Sequence, residues 1–306
     1  MKVLFAGSPR PSAKILRALN ASSLDVVGVI SQPDKRSKRN KPVEPSKVSA
    51  AAIELNLKLY RPLNIDERFK KIISKIKFDF LLVAAYGKIL PPWLLELPHV
   101  APVNIHFSLL PKYRGASPIQ AAILNGDINS GVTVMKMTEG MDEGPIYSKH
   151  SIPIEVNDNK KTLEEKLTKK SIDIIETDLK NIFKKKLIPK EQDQKQAQYC
   201  NKISKLSGRV DFAKETSESI IKKFNAFYGW PGIFFERKNI VIKIHGLEPL
   251  DKFSNIKFSE DIKFLANGIA FKTKDKPIVI THLQFPGKQI ISSKNAINSY
   301  AEFFKK

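Results

Sequence analysis

The run Phe80-Leu81-Leu82-Val83-Ala84-Ala85 carries no polar side chain on either face. A strand points successive side chains to opposite sides, so a run that is apolar throughout must be covered on both. A parallel sheet with helices above and below meets that demand. Residues 3–6 and 25–30 read as further strands, and the segment between them is an amphipathic helix with Ile15, Leu16 and Leu19 on one face. The chain is therefore expected to open as a βαβ unit of an α/β fold.

Segments 45–55 and 65–76 are helix-compatible, 98–106 reads as a strand ending in polar residues, and 118–124 as a short helix. A Val/Thr-rich strand at 131–137 and a returning strand at 146–154 follow. A long helix is expected at 162–183, with Leu163, Leu167, Ile172, Ile175 and Leu179 on its buried side. Residues 189–198 are rich in Lys and Gln and have the polarity of a linker. Beyond about residue 204 the pattern changes to a helix near 216–224 and short alternating strands at 239–244, 262–266, 269–272 and 278–285. Several short strands separated by turns suggest a small barrel or sandwich. The expected organisation is a first domain at 1–188, a linker at 189–203 and a second domain at 204–306, in keeping with roughly 150 residues per domain.

Cys200 is the only cysteine, which excludes an intrachain disulfide and a thiolate metal cluster and makes a reducing cytoplasm the expected compartment. No His pair has ligand spacing, so no metal is expected. No segment approaches the roughly 20 apolar residues that span a bilayer, and the first apolar run is too short for a signal peptide. Gly7-Ser8-Pro9-Arg10-Pro11 lacks the three-glycine dinucleotide fingerprint, which argues against a nicotinamide enzyme. The net charge of +21 favours a polyanionic partner. Only nine of the 52 basic residues are arginine, however, and lysines are scattered throughout, so clustering is the better witness. Lys35, Arg36, Lys38, Arg39 and Lys41 crowd into one loop. It reads either as a nucleic-acid contact or as a solvated charge run.

Chemistry is expected at the polar end of the 98–106 strand. Asn104 and His106 are two residues apart and so share a face. His106 alone is either an acid/base group or a core histidine bonded to the backbone. A second polar cluster, Thr138-Glu139-Gly140-Met141-Asp142-Glu143-Gly144, offers three carboxylates and leaves the choice among them open. Asp142 beside glycine is also what a plain turn would show.

Three segments together carry a specific resemblance: Asn104-Ile105-His106-Phe107-Ser108-Leu109-Leu110-Pro111 through Ile119, Ala85-Tyr86-Gly87-Lys88-Ile89-Leu90-Pro91, and Gly131-Val132-Thr133 through Gly144. The chain resembles the 10-formyltetrahydrofolate-dependent formyltransferases over nearly its whole length. Phe5-Ala6-Gly7-Ser8-Pro9, the Ser31-Gln32-Pro33-Asp34 lead into the basic loop, and Gly208-Arg209-Val210-Asp211-Phe212 point to the branch that acts on charged tRNA. The resemblance implies a Rossmann-like catalytic domain followed by a small OB-like β-barrel that binds tRNA. It implies 10-formyltetrahydrofolate as formyl donor, tetrahydrofolate as product, methionyl-initiator tRNA as acceptor, and a monomer with no obligate protein partner, no metal and no membrane. Catalysis falls to Asn104, His106 and Asp142. Folate binding falls to Ser108, Leu109, Leu110, Pro111, Tyr86, Gly87, Ile89 and Leu90, and contact with the tRNA acceptor end to Lys35, Arg36, Lys38, Arg39 and Lys41. A formyltransferase with a small amine acceptor, from sugar or purine metabolism, and an inactive basic RNA-binding protein are the rival expectations. Arg10-Pro11, a basic loop without glycines and the long run Phe224-Asn225-Ala226-Phe227-Tyr228-Gly229-Trp230-Pro231 depart from the family pattern.

Overall fold

The computed structural model describes residues 1–36, 43–248, 258 and 260–305, with the backbone alone for Lys35 and Arg36. Lys38, Arg39 and Lys41 lie outside the described residues. The chain divides into two compact units, one comprising 1–119, 128–154 and 162–201, the other 120–127, 155–161 and 202–306.

The first unit is built on a seven-stranded sheet. Its elements are β1 (Lys2–Gly7), α1 (Arg10–Asn20), β2 (Asp25–Ile30), α2 (Lys47–Glu54), β3 (Leu59–Tyr60), α3 (Glu67–Ile73), β4 (Phe80–Ala84), β5 (Ala101–His106), β6 (Asn129–Lys136), β7 (Ile146–Pro153) and α4 (Lys160–Phe183). Strand order is β7-β6-β5-β4-β1-β2-β3. The five strands β3, β2, β1, β4 and β5 run parallel, while β6 and β7 are antiparallel additions. β4 is buried at every position, as its unbroken apolar run requires. Because β2 and β3 lie to one side of β1 and β4 to the other, the connections diverge at the carboxyl ends of β1 and β4. Open α/β sheets bind ligands at such a switch point.

Helix starts are written locally. Ser46 caps α2 by accepting from the Ser49 N–H at 2.9 Å, and Asp66 caps α3 by accepting from Arg68 and Phe69. Each such cap stabilises a helix by about 1 kcal/mol. On α4 the buried side carries Leu163, Leu167, Ile174, Ile175 and Leu179, with Ile172 only half-buried.

The polar stretch read as a linker uses its polarity internally. Lys190 bridges Ile146, and Tyr199–Cys200 pairs in parallel with Arg114–Gly115. Lys35–Arg36 pairs antiparallel with Val43–Glu44.

The second unit contains α5 (Ser217–Ala226), β8 (Ile233–Arg237), β9 (Ile240–Glu248), β10 (Ile262–Leu265), β11 (Gly268–Phe271), β12 (Ile278–Gln284) and α6 (Ser293–Phe304). Its antiparallel sheet has the order β8-β9-β12-β11-β10, with Ile291–Ser292 paired on β12. Period-two alternation buries Ile233 and Phe235 of β8 and Ile242 and Ile244 of β9. Phe212 stacks on Phe271 at 4.4 Å between ring centroids, and Phe235 meets both edge-on. Among the described residues the pairing ends at β8 and β10, so what is observed is an antiparallel sheet without barrel closure. The terminal helix α6 lies beyond the reach of the strand pattern; its signal is the Ser292 cap. No helix among the described residues is long and apolar enough to cross a membrane.

Candidate active site

The carboxyl end of β5 delivers Asn104 and His106 side by side, Asn104 half-buried and His106 only 6% exposed. Both face Asp142. The Asn104 amide donates to Asp142 Oδ1 over a long 3.4 Å, and His106 Nδ1 lies 3.6 Å from Asp142 Oδ2. Nε2 of His106 lies 2.9 Å from the Tyr113 carbonyl oxygen, so it carries the proton given to that carbonyl. The ring is thus anchored through Nε2 and turns Nδ1 toward the carboxylate. Of the three carboxylates in the 138–144 cluster, Asp142 alone reaches this centre; Glu139 and Glu143 are exposed.

Asp142 sits at φ +53°, in the left-handed region that costs a residue with a Cβ roughly 1–3 kcal/mol unless its surroundings impose it. Here the surroundings do. Its Oδ2 accepts from the Gly115 N–H at 2.9 Å. Its own carbonyl, and that of Gly144, accept from Gln192 Nε2 at 2.8 and 2.7 Å. Gln192 is 6% exposed, and its Oε1 takes two hydrogen bonds from Arg114, from Nε at 3.0 Å and Nη2 at 2.8 Å. The remaining Arg114 nitrogen donates to Gln194 and to the Tyr199 hydroxyl, and the guanidinium lies 5.7 Å from the Tyr199 ring centre. Arg114 is fully buried, and stripping acceptors from a buried cation costs about 3 kcal/mol or more. Gly115 is required where it stands: at φ +119° a Cβ would run into the Cys200 carbonyl oxygen.

The residues expected to bind folate differ in burial. Ser108, Leu110, Leu90 and Tyr86 are buried. Gly87 and Ile89 are exposed, and Leu109 and Pro111 are half-buried. The Ser108–Pro111 loop is tied to β6 by Thr133, which accepts from the Leu110 N–H at 3.1 Å and donates to the Ser108 carbonyl at 2.6 Å. Gly131 makes room for Leu109, whose side chain occupies the place a Cβ would take. The 85–90 loop is held by the Gln32 amide and the Ser8 hydroxyl, both donating to the Tyr86 carbonyl, at 2.8 and 3.3 Å. Burial pushes the Tyr86 hydroxyl up to about 12, and that oxygen has no hydrogen-bond partner among the described residues. No group of His, Cys, Asp or Glu side chains that could hold a metal occurs among the described residues.

Sequence reading reached Asn104, His106 and Asp142 but not Tyr113, Gly115, Arg114 or Gln192. Tyr113 and Gly115 act through backbone atoms, which carry no residue signature. Arg114 offered a faint one, as an arginine set away from the basic loop and beside a glycine. Gln192 offered none.

Comparison with known proteins points one way. Residues 1–178 match the formyl transferase family, and residues 202–301 match its formyl transferase C-terminal domain. A methionyl-tRNA formyltransferase from Caldicellulosiruptor saccharolyticus is 35% identical over 305 residues, covering 98% of this chain and 97% of that one. One from Legionella pneumophila is also 35% identical, over 309 residues that cover 98% of this chain and 95% of its own. A solved N-formyltransferase from Helicobacter canadensis, in complex with folinic acid and dTDP-3-aminofucose, shares the fold with a TM-score of 0.69 at 19% identity. That match spans 92% of this chain and 99% of the other.

Proposed function

We propose, from the premise that the chain belongs to the formyl transferase family, that it moves a formyl group from 10-formyltetrahydrofolate to the α-amine of methionyl-initiator tRNA. The observation that carries this reading is the meeting of Asn104, His106 and Asp142 at the carboxyl end of β5, in a chain aligned end to end with methionyl-tRNA formyltransferases.

The chemistry suits these groups. The neutral amine attacks the formyl carbon, and negative charge builds on the formyl oxygen. Asn104 has the more accessible donor, and its 3.4 Å bond to Asp142 is long enough to be exchanged for one to that oxygen. A proton on His106 Nδ1 gives a second donor, with the Asp142 carboxylate balancing its charge. Asp142 accepts the proton that the nitrogen loses as the new C–N bond forms, directly or through water. The C–N10 bond then breaks, and N10 leaves as a secondary amine with a proton returned by the Asp142–His106 pair. One proton is taken and one given back, with no covalent enzyme intermediate and no metal.

Ser108, Leu109, Leu110 and Pro111 with Tyr86, Gly87, Ile89 and Leu90 form the proposed folate walls. The proposed tRNA contact is Lys35, Arg36, Lys38, Arg39 and Lys41, supported by the clustering of five basic residues in seven and by the affinity of such side chains for phosphates. Residues 1–188 would be the catalytic domain, and 204–306 a second tRNA-binding domain after the 189–203 segment. A monomer working in the cytoplasm is part of the same proposal. The deciding experiment offers purified protein 10-formyltetrahydrofolate with charged initiator tRNA, and separately with sugar or purine-pathway amines. Formyl incorporation into methionyl-tRNA is the expected result; transfer to a small amine alone would overturn it.

A further inference from the structure

Gln192 belongs to neither matched domain, since one match ends at residue 178 and the other begins at 202. Its side chain nonetheless makes four hydrogen bonds in the first unit, and two of them end on the loop that presents Asp142. A neutral amide has one acceptor oxygen and two donor hydrogens, and here all are used. Arg114 fixes which end of the amide is which: a guanidinium can only donate, so Oε1 must face Arg114 and Nε2 must face the carbonyls of Asp142 and Gly144.

We propose that Gln192 and Arg114 are positioning residues for Asp142. The buried guanidinium orients the Gln192 amide, and the amide grips the carbonyls on either side of Glu143. The Asp142 backbone is thereby kept in its left-handed conformation with its carboxylate on the Gly115 N–H and 3.6 Å from His106. Without the grip the carboxylate loses its fixed distance to both Asn104 and His106. This rests on the reading of the centre as the place of formyl transfer, because that reading gives the placement of Asp142 its value.

Gln192→Glu is the informative variant. It keeps an acceptor for Arg114, so no buried cation is stranded, but it replaces the amide donor with an oxygen that repels both carbonyls. The expected outcome is a fall in kcat on the order of 100-fold, as for a catalytic group displaced by about 1 Å, with KM for both substrates little changed. Hydrogen exchange supplies a readout that needs no substrate: the Gly115 amide should exchange faster, while Val132 and Val134 in β6 keep their protection. Gln196→Ala, on the same segment with its exposed side chain bonded to Asp193, should leave kcat and exchange as in the parent. Parental kcat in folded Gln192→Glu would overturn the proposal. So would a loss of kcat with Gly115 exchange unchanged, or an equal loss in Gln196→Ala. If Gln192→Glu does not fold, Gln192→Asn decides by the same two readouts. It keeps the amide but withdraws it by one methylene, and parental kcat with unchanged Gly115 exchange would overturn the proposal. Failure of the parent to formylate methionyl-tRNA would instead sink the functional reading, and the exchange measurement would still stand.

Discussion

Asp142 in the first unit and Asp275 in the second are both held by a backbone N–H, and there the likeness ends. Asp275 accepts from the Ser217 N–H at 2.8 Å, the Thr273 hydroxyl at 2.9 Å and the Ser217 hydroxyl at 3.3 Å. Desolvation pushes its carboxyl up, but these bonds and one from the Lys276 backbone outweigh it and bring the group down to about 2. Asp142 has one short bond, from Gly115, and two longer approaches from Asn104 and His106. A carboxylate saturated with donors is a structural post. One that keeps lone pairs free beside a histidine can take a proton in a reaction, and its surroundings must grip the backbone instead of the side chain.

The comparison breaks most sharply at Asp142→Asn. Formyl transfer should fall on the order of 1,000-fold, with the melting temperature close to the parent's, because the replacement keeps the shape and loses the proposed base. Near-normal turnover would mean that the proton acceptor is elsewhere. Asp275→Asn should do the reverse, lowering the melting temperature of the second unit while leaving kcat per folded molecule in place. Its pH signature follows from the shift. The carboxyl has an ordinary value of 3.8 and about 2 in the fold, so the unfolded chain binds the proton first as pH falls. The stabilisation is complete above about pH 4 and disappears as pH drops through about 2. Acid unfolding of the Asn variant should lack that component.

Tyr86→Phe sharpens the contrast from the other side, since the Tyr86 hydroxyl has no hydrogen-bond partner among the described residues. Removing an unpaired buried hydroxyl should leave stability unchanged or raise it by up to about 1 kcal/mol. The parent should also lose stability above about pH 10, where the unfolded tyrosine ionises before the folded one at about 12, and the variant should lose less. A clear drop in transfer by Tyr86→Phe would instead place that hydroxyl in the reaction.

What the sequence made legible follows the reach of its local signals. β4 was readable because six consecutive apolar residues leave little alternative to a doubly covered strand. Asn104 and His106 were readable because period two puts them on one face. Local pattern showed Asp142 as one of three carboxylates in a turn and only the family resemblance singled it out, since the choice depends on a φ of +53° and a distant N–H that no local pattern encodes. Gln192 sits in a stretch whose composition suits a solvated linker, and its burial is decided by Arg114, 78 residues away. Strand spacing left a barrel or a sandwich open for the C-terminal sheet, because it reports how many strands there are but not whether the first finds the last.

The reach of the Arg114–Gln192 bond also bears on when the centre comes into being. A synthesised chain emerges from its amino end, so β1 through β6 can be complete while the turn bearing Asp142 still lacks the amide that grips it. Closing a loop this long costs only modestly more entropy than closing a short one, but it must await the late residue. On the proposed reading, the geometry around Asp142 is therefore a late event in the life of each molecule, finished by a glutamine that arrives after the sheet it serves.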